Sequence, residues 1–253
     1  MSLESPLPLA GRTALVTGGA RRLGAEIART LHAAGASILI HCHRSHADAE
    51  ALAQELSALR ANSAAVYPAD LLDIAVLPTM VAATIERLGR IDILVNNASS
   101  FYPTPVGAIT AEAFDDLIGT NLRAPLFLTQ AAAPELRRRK GLVLNIVDIH
   151  GSRPLKRHPV YCAAKAGLGM LTQSLARELA PHVRVNGISP GPVMWPDGAI
   201  DDELKARILD RTALKRMGSP TDVAQAALFF ATSAPYVTGQ ILAIDGGRSI
   251  GGY

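Results

Sequence analysis

The stretch from Thr13 to Gly35 limits the folds open to this chain more than any other. It runs from T-A-L-V-T through the turn G-G-A-R-R-L-G into A-E-I-A-R-T-L-H-A-A-G. The first part is short, apolar and β-branched, which suits a strand buried on both faces. Leu23, Ile27 and Leu31 then fall at helical spacing, and Gly35 is a natural stop. A strand that feeds a helix through glycines leaves backbone N–H groups and a helix N-terminus at one point, where a phosphate can sit. The spacing here, T-G-x-x-x-R-x-G over Thr17 to Gly24, is not that of the usual dinucleotide fingerprint. A plain strand-to-helix connection is the competing reading of the turn.

The rest of the chain repeats the alternation. Strands are expected at Ser37 to Cys42, in A-A-V-Y-P-A-D-L ending at Asp70-Leu71, at Ile91 to Val95, Gly141 to Val147, Val183 to Ile188 and in Q-I-L-A-I before Asp245. Helical stretches are expected at Ala47 to Leu59, Val76 to Leu88, Glu112 to Ile118, from about Tyr161, near Asp201 to Arg216 and at Thr221 to Ser233. Strands alternating with helices predict an α/β fold: a Rossmann-type, doubly wound parallel sheet of about seven strands in a single domain spanning residues 1–253. Nearly half of the 253 residues are apolar, enough for one large core.

A net charge of +3 with no basic block argues against a nucleic-acid partner and leaves room for an anionic small molecule. No apolar run nears the roughly 20 residues that span a bilayer, and the N-terminus lacks a basic, then apolar, leader, so a cytoplasmic protein without membrane contact is expected. Two cysteines give neither a disulfide framework nor zinc spacing. His41, Cys42, His43 and His46 crowd together, but neighbours on a strand face opposite ways, so no metal site is expected.

In an open parallel sheet the ligand lies beyond the carboxyl ends of the strands. The second strand ends in His43-Arg44-Ser45, with no acid between Ile40 and Ala47. An acid there suits the free ribose hydroxyl of NAD, whereas positive charge suits the 2′-phosphate of NADP, so NADPH is the expected cofactor. Asn97, Ala98 and Ser99 follow the fourth strand, Asp148 the fifth, and Pro190-Gly191 the sixth. Tyr161 and Lys165 stand four apart at the start of a helix, so phenol and ammonium share a face. A nearby positive charge favours the phenolate and eases proton donation to an atom gaining electrons.

Taken in order, Thr17-Gly18, Asp70, Asn97-Ala98, Asn121, Tyr161/Lys165, Pro190-Gly191 and Asp245-Gly246 resemble the short-chain dehydrogenase/reductase family over nearly the whole chain. The resemblance implies Tyr161 as proton donor, Lys165 lowering its pKa and bonding the nicotinamide ribose, and Asn121 holding a relay water. It places Gly18, Arg21, Arg22, Leu23, Gly24, His43, Arg44, Ser45, Asp70, Leu71, Asn97, Ala98, Ser99, Pro190 and Gly191 around the cofactor, and it suggests a homotetramer. Three departures narrow it: Arg22 replaces a glycine, Ser99 follows N-N-A, and Asp148 stands where a serine thirteen residues before the tyrosine is usual. With H-R-S, these look like the pteridine reductase subgroup. That likeness implies that Arg22 reaches pterin and cofactor phosphate, Ser99 bonds the pterin, Phe101 stacks it against the nicotinamide, and Asp148 works with Tyr161 in protonation. Trp195, in P-G-P-V-M-W-P-D-G, suits a lid within a substrate loop near 192–216 and equally a hydrophobic anchor for that loop or a subunit contact. A general carbonyl or ketoacyl reductase and a non-catalytic NADP(H) sensor are the alternatives; Asp148 and Ser99 weigh against the first, the Tyr161, Lys165, Asn121 and Asp148 set against the second.

Overall fold

The computed structural model describes residues 7–195 and 201–250. Seven strands form one sheet: β1 Thr13–Val16, β2 Ser37–Cys42, β3 Ala64–Pro68, β4 Ile93–Asn96, β5 Leu142–Ile146, β6 Arg184–Pro190 and β7 Ile241–Ile244. Their order is β3-β2-β1-β4-β5-β6-β7, and every pair is parallel. The order reverses between β1 and β4, which opens a crevice at their carboxyl ends. The all-buried pattern of β1, β4 and β5 is what strands covered by helices on both faces require.

The helices are α1 Arg22–Ala33, α2 His46–Leu59, α3 Val76–Leu88, α4 Ala111–Ile118, α5 Ala124–Arg139, α6 Pro159–Leu179, α7 Asp202–Asp210 and α8 Pro220–Thr232. One core layer packs Ile27 and Leu31 of α1 and Phe230 of α8 on the sheet; the other packs Leu77 and Met80 of α3 with Leu128 and Leu136 of α5. Both layers agree with the doubly wound fold expected from the sequence.

The sequence reading assigns no element between Asn121 and Gly141, and α5 fills that gap. Pro134 lies inside the helix and removes one N–H, but the carbonyl it would have bonded belongs to Gln130, on the exposed face where water can reach it. Leu128, Ala132 and Leu136, four apart, supply the buried stripe. Between α4 and α5 the helix loosens into one π turn, Gly119–Arg123, which carries Asn121. Among the described residues, no helix is long and apolar enough to cross a membrane.

Candidate active site

The crevice holds a cavity of 910 Å³ lined by the ends of β1, β2, β4, β5 and β6. Its floor is the β1–α1 turn. Thr17 accepts with Oγ1 from the N–H groups of Asn97 (2.9 Å) and Ala98 (3.0 Å), and the Asn97 amide donates back to the carbonyls of Thr17 and Gly18. Two strand ends are thereby clamped together. The clamp leaves no room for a side chain at Gly24, where a Cβ would lie 2.1 Å from the Gly18 carbonyl oxygen; separately, one on Gly191 would lie 2.6 Å from the Asp245 Cβ. This bare backbone at the head of α1, with Arg21, Arg22, Leu23, His43, Arg44, Asp70 and Leu71 along the same wall, fits a nucleotide with phosphates. His43 stands 3.9 Å from Asp70, both half-exposed. Ser45 heads α2 and does not line the cavity.

Arg22 occupies a backbone conformation that glycine favours, with φ +53°. Its side chain crosses the mouth of the cavity to the segment after β6, donating to Met194 Sδ at 3.0 Å and to the Trp195 carbonyl at 2.7 Å. Trp195 meets Arg22 through its backbone and does not line the cavity; residues 196–200 of the expected substrate loop lie outside the described residues, and the remainder of that loop includes α7.

At the far end Asp148 leaves β5 in extended backbone and caps the short turn Ile149–Gly151. One carboxylate oxygen accepts from the His150 N–H at 2.8 Å and the other from the Tyr161 hydroxyl at 2.7 Å. The cap therefore uses one oxygen and leaves the other for the phenol. Lys165 is fully buried, donates to the Ile146 carbonyl at 2.9 Å and lies 5.7 Å from the centre of the Tyr161 ring. Burial pulls its pKa down to about 8, and the Asp148 charge partly offsets this.

The sequence argument expects Lys165 to ease the loss of the Tyr161 proton. In the structure the balance runs the other way. Burial, the Asp148 charge and the bond to it all hold the phenol proton more tightly, and only the Ser99 hydroxyl opposes them. Ser99 donates to Asn121 Oδ1 at 2.7 Å, and the Asn121 amide donates to the carbonyls of Ser100 (2.9 Å) and Leu117 (3.0 Å). Asn121 thus fastens the segment after β4 to the π turn.

Phe101 lies at the rim beside Tyr161, not in the cavity wall. Its ring meets Tyr161 edge-on at 4.8 Å and stacks on His158 at 4.8 Å with an interplanar angle of 8°. Sequence reasoning missed His158. It lies three residues before Tyr161 and just ahead of α6, a position from which it can reach the rim. Among the described residues no group of acids, histidines and cysteines converges on a metal site.

Residues 18–249 match the family model described as enoyl-(acyl carrier protein) reductase. The chain belongs to the short-chain dehydrogenase/reductase family. It is 37% identical to pteridine reductase 1 of Leishmania tarentolae, covering 94% of this chain and 96% of that protein. It is 35% identical to L-fucose dehydrogenase of Mus musculus (95% and 89% covered) and 34% identical to 3-oxoacyl-[acyl-carrier-protein] reductase FabG of Staphylococcus aureus (93% and 97%). These relatives act on different substrates, and what they share makes this chain an NAD(P)-dependent oxidoreductase. The family resemblance read from the motifs therefore holds.

Proposed function

We propose that the protein is an NADPH-dependent pteridine reductase that takes dihydropteridines, and by extension oxidised pterins or dihydrofolate, to their tetrahydro forms. The observation that carries this reading is the 2.7 Å bond from Tyr161 to Asp148. A serine hydroxyl at position 148 would polarise a ketone oxygen by donation; a carboxylate bonded to two donors has none to give. It does suit a C=N bond, where a ring nitrogen must receive a proton beside the carbon that is reduced.

The bound cofactor supplies the hydride. Residues of this chain do the rest. Tyr161 gives the proton to the nitrogen, and Asp148 orients the phenol and restocks the proton from solvent. Buried Lys165 holds positive charge beneath the ring. Ser99, fixed by Asn121, faces the donor and acceptor edge of the pterin, and Phe101 meets the pterin from the rim beside Tyr161, while Trp195, tied to Arg22 through its backbone, belongs to the substrate loop. His43 and Arg44 receive the 2′-phosphate, with Ser45 at the head of α2 beside them, which favours NADPH over NADH. The balanced reaction consumes one NADPH and one proton for each C=N reduced.

We also infer a homotetramer. In support, β7 ends the sheet with Ile241 and Leu242 more than a third exposed, an apolar edge that a second copy can cover. The test of function is NADPH oxidation across dihydrobiopterin, dihydromonapterin, dihydrofolate and several ketones. Turnover of pterins well above ketones is expected. Turnover of ketones alone would transfer the assignment to the carbonyl reductases.

A further inference from the structure

His41 is the fifth residue of β2, is 1% exposed, and borders the floor of the cavity. It touches the β1–α1 turn twice. Its Nδ1 lies 3.1 Å from the backbone N of Gly18, and its own carbonyl accepts from the N–H of Gly19 at 2.9 Å. On the opposite side of the ring, Nε2 lies 3.1 Å from the carbonyl oxygen of Ala69, the residue that leads into Asp70-Leu71. One imidazole therefore joins the floor of the cavity to the loop after β3.

The two partners fix the state of the ring. A backbone N–H can only donate and a carbonyl can only accept, so Nδ1 must be bare and Nε2 must carry the proton. The other neutral tautomer would turn N–H against N–H at Gly18 and lone pair against lone pair at Ala69. The imidazolium would keep the Ala69 bond and lose the Gly18 bond. Burial pulls the ring pKa down to about 4, with the Ala69 bond and Asp70 opposing and His43 adding to the fall, in keeping with a neutral ring.

The contacts also say which donors remain for phosphate. Gly18 and Gly19, the two glycines that open the turn, both spend their N–H groups on His41. The first turn of α1, from Arg22 onward, still presents N–H groups without helical partners. We propose that His41, as its Nε2–H tautomer, is a positioning residue for the dinucleotide: it holds the Gly18-Gly19 peptides away from the ligand, so that the N-terminus of α1 is the phosphate-binding face, and the Ala69 bond serves to fix the tautomer that accepts from Gly18. It acts through Gly18 and Ala69 and takes no part in the chemistry. The proposal rests on the nucleotide-cofactor reading, and it predicts equal effects on NADPH and NADH because phosphates at the head of α1 are common to both.

The test compares wild type with two variants that each keep half of the bridge. In His41→Asn the side-chain oxygen can stand where Nδ1 stood and still accept from Gly18, without reaching Ala69. In His41→Gln the amide extends to the Ala69 end and leaves Gly18 without its acceptor. Dissociation constants for NADPH and NADH are measured by titration, with the unfolding midpoint as a check on integrity. His41→Gln should weaken both dinucleotides by the same factor, about tenfold, the scale of one hydrogen bond, while His41→Asn stays within about threefold of wild type. In parallel, ¹⁵N NMR of the wild-type imidazoles at pH 7 should show a buried ring protonated at Nε2 alone.

Equal affinities in the two variants, or a His41 protonated at Nδ1, would overturn the proposal. The NMR result decides by itself if His41→Gln does not fold. A wild type that bound neither dinucleotide would sink the cofactor reading, whereas a wild type that bound while both variants bound as well would sink only the role of His41.

Discussion

Asp148 and Tyr161 show how a spacing in the sequence becomes a contact. A strand end and the first turn of a helix bring residues thirteen apart to 2.7 Å, and the helical four-residue step sets Lys165 beneath the phenol. This much is legible because each part is local. The direction of the Tyr161 shift is not legible, since it depends on burial and on a carboxylate whose second oxygen is free to accept. With its proton held tightly, Tyr161 stays protonated throughout the neutral range and gives the proton up only as the accepting nitrogen gains electrons. We expect Tyr161→Phe to lower kcat by roughly 10²–10⁴-fold with NADPH binding unchanged, as judged by single-turnover rates beside cofactor titration. A variant that kept half its rate would place the proton elsewhere. The Phe101–His158 stack was equally hidden, because neither ring announces its partner in sequence. Phe101→Ala should raise KM for pterins several-fold and leave the Kd for NADPH alone, because the substrate loses an aromatic contact at the rim worth about 1 kcal/mol. Unchanged pterin kinetics would leave Phe101 with a packing role only.

At the scale of elements, the β1–α1 turn was readable from its glycines, and the structure says why two of them are there: Gly24 and Gly18 sit where a side chain would strike the Asn97 clamp. Gly24→Ala should destabilise the fold by about 1–3 kcal/mol and weaken cofactor binding, measured by denaturant unfolding and titration. Wild-type values for both would mean that the clamp yields freely. The end of β2 makes a separate prediction. Arg44→Ala should weaken NADPH and spare NADH, and an equal loss for both would remove the phosphate assignment from this strand end. Helix α5 and the π turn escaped the sequence because their signals are tertiary: Pro134 is tolerated only on an exposed face, and the π turn matters only through what Asn121 holds. The link from Arg22 to Met194 and Trp195 joins residues more than 170 positions apart, beyond any local pattern.

For the whole molecule, two buried histidines couple the fold to pH. Burial lowers His41 to about 4, and burial followed by the Arg60 charge lowers His32. Each takes up its proton first in the unfolded chain, near 6.5, so stability falls as pH drops from 6.5 towards 4, and His41 alone accounts for on the order of 3 kcal/mol at the lower end. Unfolding midpoints at pH 7, 5.5 and 4.5 should decline stepwise, less steeply in His41→Asn; a flat wild-type profile would contradict the neutral, buried ring. The central claim concerns turnover by the intact enzyme, and position 148 decides it. Serine can replace aspartate as the cap of the Ile149–Gly151 turn, so Asp148→Ser should fold, and it restores the hydroxyl that ketone reduction uses. The most direct measurement pairs wild type with Asp148→Ser, using NADPH, a dihydropterin and an activated ketone across pH. The account predicts that the variant loses pterin reduction and gains on the ketone; undiminished pterin rates at every pH would contradict it.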